Sequence, residues 1–380
     1  MRKYLLLILL LLVGLTIVSC KENNDKEDEK NTYEKDYLVK NVYDGKTITN
    51  ETVVLIDNGT NISGNLLYEP TKILSVKSYD LKKTYDTNEY EINGRTIIAT
   101  KNSTMPYLTS EQLRGKNMPE DYGFSTYASL DGGEIIFTEG IGIICHQVSV
   151  TYEHNGSWNG FTQSYQGELL PKTMQKLKEK QNLTIVFNGD SIMTGCNSSG
   201  VLGIQPYLDD FPTLVCDKLQ HFYGVTIDKF NTAVGGMLSD FGRVNIEANV
   251  NAYNPDLVVI GFGMNDGSWN IPASIYKDNI KFMIQAIQKH NPNAEILLIS
   301  TILANPASIQ NTSITPTYLN ELKDLVDTYN GVALVDMTSF SQCLYELKNS
   351  VDVLANNINH PSDFLVRCYA DNILRALIEE

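Results

Sequence analysis

The chain has 380 residues, of which 42% are hydrophobic and 20% are charged, and its formal net charge is −15 at pH 7. This length favours two domains with sizeable cores over one. Phosphate contacts need clustered Lys and Arg, which this acidic chain does not contain, so nucleic acid is excluded as a partner.

The first twenty residues have the pattern of an export signal. Arg2 and Lys3 precede an apolar stretch, residues 4–17, that is too short for a typical membrane-spanning helix. The stretch ends at Ser19-Cys20, which resembles the lipobox of bacterial lipoproteins, in which the cysteine becomes the lipidated N-terminus. An ordinary secretory signal or an uncleaved anchor is the alternative.

This resemblance implies a signal peptide over residues 1–19 and export of the protein. The membrane is then a partner through lipidated Cys20, and the location is the cell envelope, on the outer surface or facing the periplasm. Residues 20–36 are predicted to be a disordered tether, because charged and polar residues dominate them and no apolar residue precedes Tyr33.

Residues 37–165 are predicted to form an N-terminal β-sandwich of jelly-roll type. Short alternating segments follow one another with turn signals between them and almost no helical periodicity. The predicted strands cover residues 52–56, 61–68, 72–79, 90–92, 95–100, 133–138 and 142–152. Residues 102–130 are predicted to be a long loop, and residues 166–181 a linker to a second domain.

Residues 182–380 alternate regularly between apolar strands and amphipathic helices. The predicted strands are 183–187, 227–234, 256–262, 295–300 and 332–335, and the predicted helices are 211–223, 243–252, 274–289, 316–329 and 362–378. Five apolar strands separated by helices predict an α/β domain with a parallel sheet covered on both faces. Ligands of such sheets lie beyond the carboxyl ends of the strands.

Residues that carry chemistry follow several of these strands. They occur in four blocks, which are Gly189–Ile192, Ala233–Gly236, Gly263–Asp266 and His360-Pro361. A serine hydroxyl is a poor nucleophile until an imidazole accepts its proton, so Ser191 and His360 are the candidate nucleophile and base.

A tetrahedral intermediate on the serine also needs hydrogen-bond donors for its oxygen. The candidates for this oxyanion hole are the backbone N–H groups of Ser191 and Gly236 and the side-chain amide of Asn265. Asp190 is expected to order the nucleophile turn, and Asp266 to cap the segment that follows it. No metal site and no cofactor are predicted.

The four blocks resemble the GDSL/SGNH hydrolase family, whose signature residues are Ser, Gly, Asn and His in this order. The resemblance covers about residues 182–380 and implies a flavodoxin-like sheet and a serine esterase. The β-rich region upstream is similar to that of two-domain carbohydrate esterases of this family. The resemblance therefore implies hydrolysis of O-acetyl esters on poly- or oligosaccharides.

One position departs from the family pattern. The family usually has Asp three residues before the His, and this chain has Asn357 there. Either a carbonyl group orients His360, from the backbone or from Asn357 itself, or Asp352 or Asp363 replaces the missing acid. The resemblance favours the first alternative, a Ser–His dyad. An enzyme that has lost activity is the third alternative.

Two further hypotheses concern residues around the site. Tyr207, Met264 and Trp269 are candidates for an acyl pocket, although core packing explains them equally well, and the loop 197–200 is a candidate substrate contact. The alternative functions are a lipid or short-chain acyl esterase, a peptidoglycan deacetylase, and a non-catalytic glycan-binding lipoprotein of the cell surface.

Overall fold

A computed structural model of the chain describes residues 42–379. The predicted signal peptide, the lipidation site and the tether lie outside these residues. The described residues form one compact unit by their contacts. Within the described part of the chain, no helix combines the length and the apolar character that crossing a membrane requires.

The N-terminal region is built from antiparallel sheets. Its strands are β1 (Thr47–Val54), β2 (Ile56–Asp57), β3 (Ile62–Asn65), β4 (Pro70–Ser78), β5 (Tyr90–Asn93), β6 (Thr96–Ala99), β7 (Leu108–Thr109), β8 (Ser125–Ala128), β9 (Glu134–Phe137) and β10 (Gln147–His154). They form sheets of order β1-β10-β4, β5-β6-β3-β2-β7 and β8-β9, in which only the short β2–β7 pair is parallel.

Two predictions for this region differ from the structure. Residues 142–146, predicted as part of a strand, contain a 3-10 turn at Ile144–His146. The N–H groups of Cys145 and His146 donate to the carbonyls of Ile141 and Ile143, so they are not available to a neighbouring strand. The predicted loop 102–130 contains β7, β8 and a helical turn, α1 (Ser110–Leu113).

The C-terminal part contains a five-stranded, all-parallel sheet, as the sequence predicts. Its strands are β11 (Leu183–Gly189), β12 (Ile227–Asn231), β13 (Leu257–Gly261), β14 (Glu295–Ile299) and β15 (Val332–Val335), in the order β12-β11-β13-β14-β15. Both neighbours of β11 run parallel to it. The chain adds β12 on one side of β11 and the later strands on the other side. The strand order therefore reverses between β11 and β13, and the expected ligand crevice lies at the end of β11.

The remaining helices follow the alternation with the strands. They are α2 (Pro171–Lys178), α3 (Phe211–Tyr223), α4 (Ser239–Val244), α5 (Ile246–Asn249), α6 (Met264–Ser268), α7 (Ala273–His290), α8 (Tyr318–Thr328), α9 (Met337–Tyr345), α10 (Ser350–Val353) and α11 (Asp363–Leu377). The predicted α/β fold with an additional β region is confirmed. The sequence analysis did not identify α6, α9 and α10, which are short or follow a strand directly.

The segment predicted as a linker, residues 166–181, contains α2. This helix has no side-chain cap of its own, and Glu295 of β14 accepts hydrogen bonds from the N–H groups of Lys172 and Thr173 at 3.0 and 2.8 Å. A carboxylate at this end also interacts favourably with the helix dipole. The helix is therefore fixed against the parallel sheet, and the division of the chain into two domains stays a prediction.

A buried ion cluster joins the β region to the C-terminal part. Nζ of Lys348 lies 2.5 Å from Glu51 of β1 and 3.6 Å from Asp352 of α10, and all three side chains are fully buried. The second oxygen of Glu51 accepts a hydrogen bond from the Tyr152 hydroxyl at 2.6 Å. Asp352 accepts one from the N–H of Val54 at 2.7 Å. The segment that leads to His360 is thus held by the N-terminal sheet.

The five cysteines among residues 42–379 are free thiols. Cys216 and Cys368 are buried, and Cys145, Cys196 and Cys343 are half-buried. Burial raises the pKa of the Cys216 thiol to about 12, so the group stays protonated and inert at neutral pH.

Candidate active site

Ser191 lies directly after β11, in a tight turn at the carboxyl end of the sheet. Gly189 is required there because a Cβ at this position would lie 2.3 Å from the carbonyl oxygen of Gly261 on the neighbouring strand. The side chain of Asp190 accepts a hydrogen bond from the N–H of Ile192 at 3.0 Å, which closes the turn around the serine. Ser191 is 6% exposed.

The segment before α11 brings His360 to the same place. The side-chain oxygen of Asn356 accepts hydrogen bonds from the N–H groups of Ile358, Asn359 and His360, all between 2.9 and 3.0 Å. The N–H of Ala355 donates to the carbonyl of His360 at 2.8 Å. One buried amide therefore shapes the loop that carries the imidazole.

The structure brings Ser191 and His360 into hydrogen-bond contact. Nε2 of His360 lies 2.9 Å from Oγ of Ser191. An imidazole nitrogen at this distance can accept the hydroxyl proton when the oxygen attacks a substrate. The two residues are 169 positions apart in the chain, and the fold alone makes them neighbours.

The other ring nitrogen contacts a residue from the loop after the nucleophile. Nδ1 of His360 lies 2.6 Å from the side-chain oxygen of Asn197, and the amide nitrogen of Asn197 donates to the backbone carbonyl of Glu139 at 2.8 Å. Asn197 has a left-handed backbone, with φ of 66°, which asparagine tolerates better than most residues. The sequence analysis considered its loop only as a substrate contact.

A carboxylate also lies beside this nitrogen. Oε2 of Glu139 is 3.2 Å from Nδ1 of His360, and the Glu139 side chain is 58% exposed. Partial burial raises the pKa of Glu139. The hydrogen bond and the charge of His360, together with a hydrogen bond from Asn356, lower this pKa by more than burial raises it, so the net shift is downward. Glu139 follows β9, and no motif in the sequence singles it out.

Asn357 does not contact the imidazole, contrary to the prediction that its side chain orients His360. Its amide nitrogen donates to the carbonyl of Ile136 at 2.9 Å, and its side-chain oxygen accepts from the amide of Asn305 at 3.0 Å. Its φ of 63° directs the side chain into these contacts with the β region.

The two acids considered as replacements also have other partners. Asp352 belongs to the buried ion cluster with Lys348. Asp363 accepts a hydrogen bond from the N–H of Ser199 at 2.9 Å. This contact attaches the loop that carries Asn197 to the first turn of α11.

The three candidate oxyanion donors lie in the segments that follow β11, β12 and β13. Among residues 42–379, no protein acceptor contacts the N–H of Ser191 or that of Gly236. A Cβ on Gly235 would lie 3.7 Å from Cβ of Ser191, so the glycine pair borders the serine. One hydrogen of the Asn265 amide donates to the carbonyl of Met237 at 3.0 Å. The second hydrogen of that amide has no acceptor among the described residues.

Two buried acids connect the segments that follow β11, β12 and β13. The carboxylate of Asp190 accepts a backbone hydrogen bond from Met264, at the beginning of α6. Asp266 of α6 accepts the N–H of Ser239, at the beginning of α4, at 3.0 Å. Burial raises the pKa of both carboxyl groups, to about 7 for Asp190. The expected ordering role of Asp190 agrees with these contacts. The sequence predicts that Asp266 caps the segment that follows it, but its carboxylate instead binds the beginning of α4, which precedes it in the chain.

The candidates for an acyl pocket have different environments. Met264 is 1% exposed and belongs to the core. Tyr207 is half-buried and has a φ of 61°. Trp269, directly after α6, is 73% exposed.

Comparisons with known proteins relate part of the chain to a family of hydrolases. Residues 187–364 match the model of the GDSL-like lipase/acylhydrolase family. An arylesterase from Vibrio mimicus is 28% identical over 112 residues, which are 29% of this chain and 52% of the arylesterase. The chain thus spans about half the length of this curated relative.

The solved structures that resemble the chain include two esterases. A two-domain esterase active on acetylated mannans, crystallised with mannopentaose, has a TM-score of 0.45 and 21% identity, over 57% of this chain and 55% of the other. The acetyl xylan esterase AlAXEase has a TM-score of 0.42 and 23% identity, over 52% of this chain and 100% of its own. Residues 187–364 match the family model and contain the four blocks in order, and they form a GDSL-like lipase/acylhydrolase domain.

Proposed function

We propose that this protein is a serine ester hydrolase that removes acetyl groups from carbohydrate. The observation that carries the proposal is the 2.9 Å contact between Oγ of Ser191 and Nε2 of His360, at the carboxyl end of β11 in a GDSL-like domain. A serine hydroxyl that is hydrogen-bonded to an imidazole can act as the nucleophile of acyl transfer, because the imidazole accepts its proton.

In the proposed reaction, Oγ of Ser191 attacks the ester carbonyl while its proton moves to Nε2 of His360. The oxygen of the tetrahedral intermediate accepts hydrogen bonds from the N–H groups of Ser191 and Gly236 and from the amide of Asn265. His360 then returns the proton to the departing sugar hydroxyl. Water, activated by the same imidazole, hydrolyses the acyl-enzyme and releases acetate.

The choice of an acetylated carbohydrate rests on the sequence blocks and on the additional β region, which together resemble two-domain carbohydrate esterases. One exposed side chain supports it. Trp269 directly follows α6, the helix that carries Asn265, and it presents an indole ring that is 73% exposed. A flat apolar ring in this position can pack against a sugar ring of the substrate.

The sequence of the first twenty residues supports a location at the cell envelope. We propose that the protein is exported and held at the cell envelope by a lipid on Cys20. Mass spectrometry of the mature N-terminus tests this part independently of catalysis. An N-terminus that still carries residues 1–19, or an unmodified Cys20, would contradict it.

The enzymatic part is tested by acetate release from acetylated mannan, acetylated xylan and 4-nitrophenyl acetate. The wild-type protein should release acetate, and Ser191→Ala should lose the activity while retaining its melting temperature. A profile that rises with acyl chain length would indicate a lipid esterase instead. Glycan binding without turnover in the wild type would indicate a surface binding protein.

A further inference from the structure

We propose that Glu139, from the N-terminal β region, is a positioning residue for His360. With Asn197 it replaces the Asp that the family has three residues before the His. The inference rests on the proposed function, because it assumes that His360 acts as the base. It also implies that the active site is incomplete without the β region.

Two residues, Asn197 and Glu139, contact Nδ1 of His360. Nδ1 of His360 lies 2.6 Å from the side-chain oxygen of Asn197 and 3.2 Å from Oε2 of Glu139. The amide of Asn197 in turn donates to the backbone carbonyl of Glu139 at 2.8 Å. Asn197 therefore contacts both the ring N–H and the backbone of the residue that carries the second acceptor.

The two acceptors differ in charge, and this difference separates their roles. Asn197 is neutral, so it can orient the ring and fix the position of its proton, but it contributes no net charge. When Nε2 accepts the proton of Ser191, the ring becomes cationic. A carboxylate 3.2 Å from Nδ1 stabilises that cation, as the buried Asp does in serine proteases.

The position of Glu139 predicts how strong this effect is. The His360 side chain is 9% exposed, whereas that of Glu139 is 58% exposed. Water and dissolved ions weaken the attraction between groups in such a position. The carboxylate should therefore contribute less than a buried Asp, and its contribution should decrease as the salt concentration rises.

Glu139→Gln tests the charge, because it keeps the size and polarity of the side chain. Glu134→Gln, on the exposed face of β9, is the matched control. Glu139→Asp keeps the charge but retracts it by one methylene. The measurements are kcat and KM for 4-nitrophenyl acetate at 20 mM and 1 M NaCl, the melting temperature, and the rate at which a fluorophosphonate labels Ser191.

At low salt, Glu139→Gln should lower kcat/KM and the labelling rate about tenfold, mainly through kcat, with an unchanged melting temperature. Glu139→Asp should be intermediate, and Glu134→Gln should equal the wild type. At 1 M NaCl the tenfold difference should shrink to about threefold or less.

Two results would overturn the inference. One is a Glu139→Gln protein that is labelled and turns over substrate as fast as the wild type at low salt. The other is a loss of rate that salt does not change and that accompanies a lower melting temperature, because that pattern indicates a structural role. Failure of the proposed function gives a different result, namely a wild-type protein that neither reacts with the fluorophosphonate nor releases acetate.

Discussion

The side-chain oxygen of Asn197 lies 2.6 Å from Nδ1 of His360, and its amide nitrogen donates to the carbonyl of Glu139. The Glu139 carbonyl can accept a hydrogen bond only from the side-chain nitrogen of Asn197, so the side-chain oxygen of Asn197 must face the His360 ring. Nδ1 therefore carries the proton, and Nε2 presents its lone pair to Ser191. The contact assigns the tautomer that a general base needs.

Replacing Asn197 by Ala should weaken this assignment. Only the exposed carboxylate of Glu139, 3.2 Å from Nδ1, then holds the ring, which can rotate more freely and carry its proton on Nε2 more often. We expect kcat/KM for 4-nitrophenyl acetate to fall about 100-fold, less than the loss caused by removing the buried Asp of a protease triad. An unchanged rate in a correctly folded variant would contradict the assignment.

Asn357→Ala is the corresponding test of the residue at the family's usual Asp position. Its amide contacts Asn305 and the carbonyl of Ile136, so its loss should cost stability, about 1–3 kcal/mol, because buried partners are left unsatisfied. The rate should fall less than fivefold, since the ring keeps Asn197. Urea unfolding and steady-state kinetics measure the two effects. A loss of rate as large as that of His360→Ala would mean that Asn357 orients the base after all.

Asn265→Ala tests the oxyanion hole. One amide hydrogen of Asn265 is used by the carbonyl of Met237, and the other is free to stabilise the tetrahedral intermediate. We expect kcat to fall about 100- to 1000-fold with little change in KM, because the donor acts in the transition state. Ser268→Ala, on the same helix, should retain the wild-type kcat. An increase in KM alone would assign Asn265 to substrate binding instead.

Asp190→Asn should change how stability depends on pH. Burial raises the pKa of Asp190 to about 7, and the charge of Asp266 raises it too. The folded protein therefore keeps a proton that the unfolded chain loses near pH 4. The stability contributed by this group is complete below about pH 4 and is lost as the pH rises to about 7.

The Asn variant has no such titration. The free energy of unfolding of the wild type should thus decrease relative to Asp190→Asn between pH 4 and 7, by up to roughly 4 kcal/mol at about 1.4 kcal/mol for each unit of pKa shift. Urea titrations at pH 4.5, 6 and 7.5 measure the difference. Asp217→Asn, on the exposed side of α3, is the control. Parallel stability profiles for Asp190→Asn and the wild type would contradict the prediction.

Lys348→Met tests the ion cluster between the β region and the C-terminal part. The substitution leaves Glu51 and Asp352 buried without their cation, which should cost about 3–5 kcal/mol of unfolding free energy. Lys178→Met removes an exposed pair with Glu379 and should change stability by less than about 1 kcal/mol. Equal effects of the two substitutions would show that the cluster does not hold the regions together.

Much of the fold follows from local patterns in the sequence. Apolar runs such as Leu257–Gly261 are buried on both faces of the sheet and can be recognised without a partner. The helix Phe211–Tyr223 begins after Asp210, whose side chain caps it, and ends at Gly224 with a φ of 66°. Signals of this kind involve a few neighbouring residues, so the sequence contains them in full.

The residues that contact the imidazole of His360 could not be predicted in this way. Ser191 and His360 stand out because each lies in a recognisable block at the end of a strand or before a helix. Asn197 lies 163 positions from His360, and Glu139 precedes the entire parallel sheet. Neither position has a local pattern that distinguishes it from any other polar loop residue.

The sequence by itself determined the parallel sheet, the serine, and the histidine 169 positions later. It also showed that the usual acid is missing at position 357. Only the tertiary structure decided what takes its place, because the answer depends on which loops the packed β region brings beside His360. The Asn357 amide is held by Asn305 and the carbonyl of Ile136, and that leaves the imidazole to Asn197 and Glu139.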